Sequence, residues 1–248
     1  MPSPPVRPRA DYAAAVEDLA GRVAGCLADG SRVGIGAGPL ARFVDEAADR
    51  RAALAAVRVL GPDVLAPAVL DAAEVDPTEV YAADGAVVVE ALRVFPPGSL
   101  GATPEAGWRD WATGQVLARW VDAAADPPDT PRPAEVPGSE DGWPRWSAWA
   151  ARLAPLALPD LDSAVHEQVR RRTRALGRGA VRAMLRRDYL SAARLVRWLA
   201  LASRDGHRPD LDLGVAVAHI ELHSGSGPRV ELETAITRRL LRCPGSRR

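Results

Sequence analysis

The stretch DPPDTPRPAEVPGSEDG, residues 126–142, constrains this chain more than any other. Five prolines fall between positions 127 and 137, and acidic residues fill much of the remainder. Proline fixes φ and removes a backbone donor, so neither a helix nor a ladder-bonded strand runs through such a segment. It reads as a linker, and the chain is expected to fold as two parts on either side of it, 11–125 and 143–248. The Pro-rich residues 1–10 are expected to be disordered.

The two parts differ in pattern. In the first, Asp11 can cap a helix over 12–27, with Ala15, Leu19, Val23 and Cys26 at helical spacing. A strand over 32–35 then runs into Gly36-Ala37-Gly38-Pro39. Next come a helix over 40–56, a strand over 57–60 stopped by Gly61-Pro62, and a helix over 63–72. A strand over 79–82, a turn at Asp84-Gly85 and a strand over 87–95 follow, because Val87-Val88-Val89 is β-branched and bounded by turn residues. A helix over 105–124 carries Trp108, Trp111 and Trp120. Beyond the linker the pattern is helical: 143–154, 162–176, 178–187, 189–204 and 229–242. Residues 210–223 fit a strand, by alternation of Val215, Val217, His219, Glu221 and His223, or equally a helix capped by Asp210 or Asp212. The expected class is therefore α+β: a mixed α/β N-terminal domain with a short sheet, followed by a mostly helical C-terminal domain.

All 32 basic residues are arginine; the chain has no lysine and no asparagine. Schiff-base chemistry, the P-loop lysine and the protein-kinase lysine are thereby excluded. Arginine-only basicity with abundant Ala, Pro and Gly points to a GC-rich bacterial genome. Two cysteines, Cys26 and Cys243, make no disulfide framework. No apolar h-region opens the chain and no apolar run reaches about 18 residues, so a cytoplasmic protein with no membrane partner is expected. The net charge of zero is unevenly spread: 14 Arg against 24 acids over 1–162, and 18 Arg against 8 acids over 163–248. These halves can attract each other, or the basic half can face a phosphate-bearing ligand.

Four constellations could carry chemistry. The glycines of Gly34-Ile35-Gly36-Ala37-Gly38-Pro39 could bring backbone N–H groups to a phosphate at a helix N-terminus, or form only a tight turn. Asp45 and Asp49, four apart on a helix, could join Glu90 as an acidic set for Mg²⁺, or be a solvated face. His219 and His223 could bind a metal if a third ligand came from Glu221, Glu231, Glu233 or His207; on a helix Glu221 would point away. Arg170, Arg171, Arg172, Arg174, Arg178 and Arg182 form a basic run, of which 171, 174, 178 and 182 share one helical stripe suited to phosphate. Little aromatic residue interleaves it, so sequence-specific nucleic-acid binding is not expected. Trp143, Trp146 and Trp149 recur every three residues, which suits packing or stacking on a ligand.

The order of parts resembles the nucleotidyltransferase fold of the aminoglycoside-modifying and antitoxin-like kind. "GPLARF" (38–43), which includes Arg42, stands where that family has its GS-x-A-x-G turn. "DGAVVVEALRVFPPG" (84–98) is similar to its strand bearing the third carboxylate, here Glu90. "GQVLARWVD" (114–122) and "AMLRRDYLSAARLV" (183–196) are similar to segments that follow. Pro39 replaces the family's serine, and Asp49-Arg50-Arg51 keeps one acid of its pair. The resemblance implies a degraded catalytic motif. It also implies a nucleotide or other phosphate-bearing small molecule bound between the halves, with Gly36, Gly38, Arg42, Arg178 and Arg182 toward the phosphates. A second segment, "LADGSRVGIGAGPLARFVDEAA" (27–48), resembles the opening of the ribose-5-phosphate isomerase and DeoR-like sugar-phosphate fold, whose isomerases use a lysine. The competing classes are a non-catalytic module with a protein partner and a His219/His223 metal-dependent enzyme.

Overall fold

A computed structural model describes residues 8–29, 38–71, 77–99, 101, 103–119, 136, 142–225 and 227–242. Its α-helices are α1 (Pro8–Asp29), α2 (Pro39–Glu46), α3 (Arg50–Leu60), α4 (Ala66–Asp71), α5 (Pro77–Val94) and α6 (Pro104–Leu117). They continue as α7 (Gly142–Arg152), α8 (Ala164–Arg171), α9 (Thr173–Leu185), α10 (Tyr189–Arg204), α11 (Leu213–His223) and α12 (Pro228–Arg242). Short 3-10 turns cover Gly61–Leu65 and Ala154–Leu156.

Among the described residues there is no strand, so the expected α+β class with a sheet is corrected to a mostly helical fold. The segment read as strand, turn and strand is one helix, α5. Asp84, Val88, Ala91 and Phe95 are buried along one side of it, at helical rather than alternating spacing. The strand reading of 57–60 fails too, because these residues are the last turn of α3. Ala52 to Arg58 and Leu60 are buried on every side of α3, and burial of the helix outweighs the β-propensity of valine. α3 ends at Gly61, which takes φ +62° and donates its N–H to the Val57 carbonyl, a conformation that favours glycine. The strand expected at 32–35 and most of the linker at 126–142 lie outside the described residues. Residues 210–223 resolve as helix, with the Asp212 carboxylate accepting from the Val215 N–H at 3.0 Å.

α1 buries Val16, Leu19, Ala20, Val23 and Leu27 and packs on both α3 and α12, so the first and last helices touch. Each such leucine contributes on the order of 2 kcal/mol by burial. α10 is the axis of the C-terminal part. Ala192, Leu195, Val196, Trp198, Leu199 and Ala200 bury it on all sides against α7, α9, α11 and α12. Trp198 Nε1 donates to the Ala150 carbonyl at 2.9 Å, and Trp108 and Trp111 meet edge to face at 5.7 Å. One hydrophobic cluster runs from Val16 to Leu240 and draws on both parts of the chain. The stretch Arg50–Leu70 has the length and composition to cross a membrane, but 94% of its apolar window is buried in this core.

Two arginines are built into the interior. Arg197, 0% exposed, donates to Asp63 Oδ1 at 2.7 Å, to Glu233 Oε2 at 3.0 Å and to the Ala157 carbonyl at 3.1 Å. Its partners come from both parts of the chain, so this group pins them together. Arg58 donates to Asp110 Oδ1 at 2.6 Å and to the Phe95 carbonyl at 2.7 Å.

Candidate functional site: an arginine–tryptophan groove

The acidic set does converge in part, but on a guanidinium. Arg50 donates from Nη2 and Nε to the two oxygens of Glu90, at 2.7 and 3.2 Å, and from Nη1 to Asp45 Oδ1 at 3.4 Å. Asp49 is the N-cap of α3, accepting from the N–H groups of Arg51 and Ala52 at 2.9 and 3.1 Å. A fixed positive charge thus stands between the carboxylates where Mg²⁺ would have to sit, and the third acid is spent on a cap. The described residues do not fit that ion.

The glycine turn is an anion site of a different kind. Gly36 lies outside the described residues. Gly38 precedes α2, whose free N–H groups at Leu40 and Ala41 donate to Asp84 Oδ1 at 3.0 and 3.1 Å. Any side chain on Gly38 would overlap the Asp84 carboxylate, so the glycine is there for close approach. The chain's own carboxylate therefore takes the place expected for phosphate. Burial pushes Asp84 up to about 6, against the opposing pull of the two backbone N–H groups. Arg42 is exposed on α2.

His219 and His223 lie one turn apart on α11, with ring centroids 4.3 Å apart and Tyr189 at 6.3 Å from each. His223 Nδ1 is 2.9 Å from the His219 carbonyl oxygen. Glu221 points away, as a helix requires, and accepts from Arg238 at 2.8 Å. Glu233 belongs to Arg197 and Arg194. Among the described residues no group of three His, Cys, Asp or Glu could hold a metal ion.

The predicted cationic stripe is present on α9 and shapes a groove. Arg174, Arg178 and Arg182 recur every four residues on α9, while Arg171 belongs to α8 and pairs with Glu167. The helix break falls at Arg172, not at Gly177. Gly179, on another side of α9, explains how α7 reaches it. A Cβ there would come within 2.6 Å of Ser147 Cβ, so glycine lets the two helices meet at backbone distance. That approach sets Trp143, in the first turn of α7, beside the stripe. The guanidinium carbons of Arg178 and Arg182 lie 4.5 and 5.7 Å from the Trp143 ring centroid. A guanidinium stacked on an indole keeps its N–H edge free to donate.

The resulting groove has a volume of about 570 Å³ and is lined also by Gly177, Asp210 and Leu211. Among the described residues Arg174, Arg178 and Arg182 make no ion pair, and Asp210 is the one carboxylate on the groove. At one end Val181 and Leu185 stand 41% and 81% exposed. A cavity of similar size, about 590 Å³, lies between α1 and α12, and two of its three arginines are engaged, Arg238 by Glu221 and Arg239 by the Leu27 carbonyl, while Arg242 lies at the last turn of α12. The α9 groove differs in that three arginines at helical spacing line it without an ion pair among the described residues, two of them on an indole.

Sequence spacing pointed to Arg178 and Arg182, but it left Trp143 between packing and stacking and did not separate it from Trp146 and Trp149. Each three-residue step turns a helix by about 60° short of a full circle, so Trp143 sits about 120° from Trp149. Trp146 and Trp149 are buried and Trp143 is not. No family model, curated protein or solved structure matches this chain.

Proposed function

We propose that this protein is a non-catalytic binding protein for a phosphate-bearing aromatic small molecule, of the nucleotide class, held in the α9 groove. The observation that carries this reading is the grouping of Arg174, Arg178 and Arg182 around Trp143 with no ion pair among the described residues. In this reading the guanidinium edges bind the phosphates, with charge-assisted bonds of about 1.5–3 kcal/mol each. The base packs on the apolar end formed by Val181 and Leu185. The groove volume suits a ligand of that size. Because arginine supplies the positive charge, binding does not call for Mg²⁺. The reading places the ligand on the outer face of the helical part, not between the two halves. It includes no transfer step, since Asp45, Asp49 and Glu90 are engaged with Arg50 and the α3 cap.

Isothermal titration with ATP in EDTA tests it. Saturable heat is expected, at least tenfold weaker in affinity for the Arg178→Ala/Arg182→Ala variant and weaker again for adenosine. Equal affinity in that variant, or no heat at millimolar ATP, overturns the reading. A second reading, docking of an acidic amphipathic protein segment, is favoured by the 81% exposure of Leu185. It predicts that Leu185→Ser abolishes partner binding and that nucleotides do not compete.

A further inference from the structure

α11 is apolar on two sides, and among the described residues the fold covers one of them. Leu213, Ala216, Val217 and Ile220 are buried where α11 packs on α10 and α12. Val215, Ala218, His219 and Leu222 recur at three- and four-residue spacing on the opposite side and are exposed. Val215 is 66% exposed and Leu222 80%. No Asp, Glu or Arg falls between Leu213 and Ile220, so the outer face lacks the charges that a solvent-facing helix carries. Glu221 stands off the stripe and is held by Arg238. Tyr189 flanks the stripe, its ring centroid 6.3 Å from those of His219 and His223. Large apolar side chains gathered on a surface in this way mark a contact with another molecule.

The face is built to meet itself. Val215 and Leu222 lie seven residues apart, with the small Ala218 between them. Two antiparallel α11 helices related by a two-fold axis near Ala218 set Val215 of each copy against Leu222 of the other. Ala218 near the axis lets the two helices approach closely. The ends complement each other in the same arrangement. At the N-terminal end of α11, exposed Asp210 and Asp212 outnumber Arg208. At its other end Tyr189 brings up the corner between α9 and α10. There Arg186 and Arg187 are exposed and make no ion pair among the described residues, while Asp188 caps α10. Antiparallel packing lays the acidic end of each copy on the basic end of the other and opposes the two helix dipoles. Parallel packing would set like charge on like.

We propose that the outer face of α11 is a two-fold dimer interface whose partner is a second copy of this chain. Neither Val215 nor Leu222 lines the α9 groove, so the interface stands apart from ligand binding there.

Sedimentation equilibrium of the full chain, from micromolar to near-millimolar concentration, tests it. A reversible monomer–dimer equilibrium is expected, reaching the mass of two chains and not passing it, because a two-fold contact closes. Leu222→Glu and Val215→Glu are each expected to raise the dissociation constant about tenfold or more, by placing a carboxylate in the apolar centre of the contact. Both positions are exposed in the single chain, so wild-type helicity by circular dichroism is expected to persist. Arg186→Glu/Arg187→Glu is expected to weaken the dimer as well, and Arg178→Ala/Arg182→Ala to leave it unchanged. The mass of one chain at every concentration overturns the proposal and leaves the face to a different partner. A dimer that Leu222→Glu and Val215→Glu leave intact overturns it too, as does growth beyond two chains. Loss of the dimer only in Arg178→Ala/Arg182→Ala assigns association to the groove and also overturns it.

Discussion

Arg197 and Arg182 are the same residue type in the same helical part, and they are held in opposite ways. Arg197 is fully buried and is met by two carboxylates and a carbonyl. Arg182, like Arg178, rests on an indole with its N–H groups unclaimed by any carboxylate among the described residues. In a chain without lysine, arginine does both the structural and the surface work, so residue type alone cannot distinguish them. What distinguishes them is whether the fold delivers a counter-charge. Asp63 reaches Arg197 across more than a hundred residues of sequence, whereas the α9 stripe has no such partner. Side chains whose charge the fold has answered are structural; those left unanswered at a cavity are candidates for a ligand.

The sharpest way to break that contrast is to remove Arg197. Arg197→Met leaves Asp63 and Glu233 buried without their cation, and a loss of about 3–5 kcal/mol in urea unfolding is expected. A loss under about 1 kcal/mol would put Arg197 with the surface arginines and collapse the distinction.

Interior groups without a counter-ion sharpen it next. Asp84 sits near 6 in the fold against an ordinary 3.8, so the folded protein holds the extra proton between those values. Its contribution to stability therefore falls as pH rises from about 4 to 6. His166, between Ser163 Oγ at 2.9 Å and the Leu156 carbonyl at 3.0 Å, is held near 4 by burial against an ordinary 6.5. There the unfolded chain holds the extra proton, and stability falls as pH drops from 6.5 to 4. The two slopes oppose, so the wild type is expected to show a shallow profile over that window. Asp84→Asn keeps an acceptor for Leu40 and Ala41 but removes the charge. It should gain up to roughly 3 kcal/mol at pH 7 and expose the His166 slope, a loss of similar size on going from pH 6.5 to 4. Urea unfolding at pH 4, 5, 6 and 7 reads both; parallel profiles for wild type and variant contradict the assignment of Asp84.

Much of the helical part was legible because its helices carry their own stops. α10 runs from Tyr189 to Arg204, as expected from the sequence, with Asp188 as its cap accepting from Ser191 N–H at 3.1 Å. The first part was misread where short apolar runs meet turn residues. Val57-Arg58-Val59-Leu60 ahead of Gly61-Pro62 and Val87-Val88-Val89 behind Asp84-Gly85 fit a buried strand as well as a helix, and periodicity over so few residues cannot decide. Asp84-Gly85 was legible as punctuation, but its carboxylate is used at a distance, to cap α2. In the site, the i, i+4 spacing of Arg174, Arg178 and Arg182 was visible, whereas Trp143 depends on how closely Gly179 lets α7 approach. Arg109 and Arg229 lie 120 positions apart by number, and only the fold brings them to line one cavity.

The smallest expected effect on stability is the most telling for function. Arg178→Ala/Arg182→Ala should change unfolding by no more than about 1 kcal/mol, the order of their stacking on Trp143, because nothing in the interior depends on these side chains. The measurement that tests the central claim is isothermal titration of ATP, in EDTA, into wild type and this variant, with unfolding of both recorded alongside. The account predicts stability within about 1 kcal/mol of wild type and an affinity at least tenfold lower in the variant. Equal affinity for ATP in the two folded proteins would contradict it.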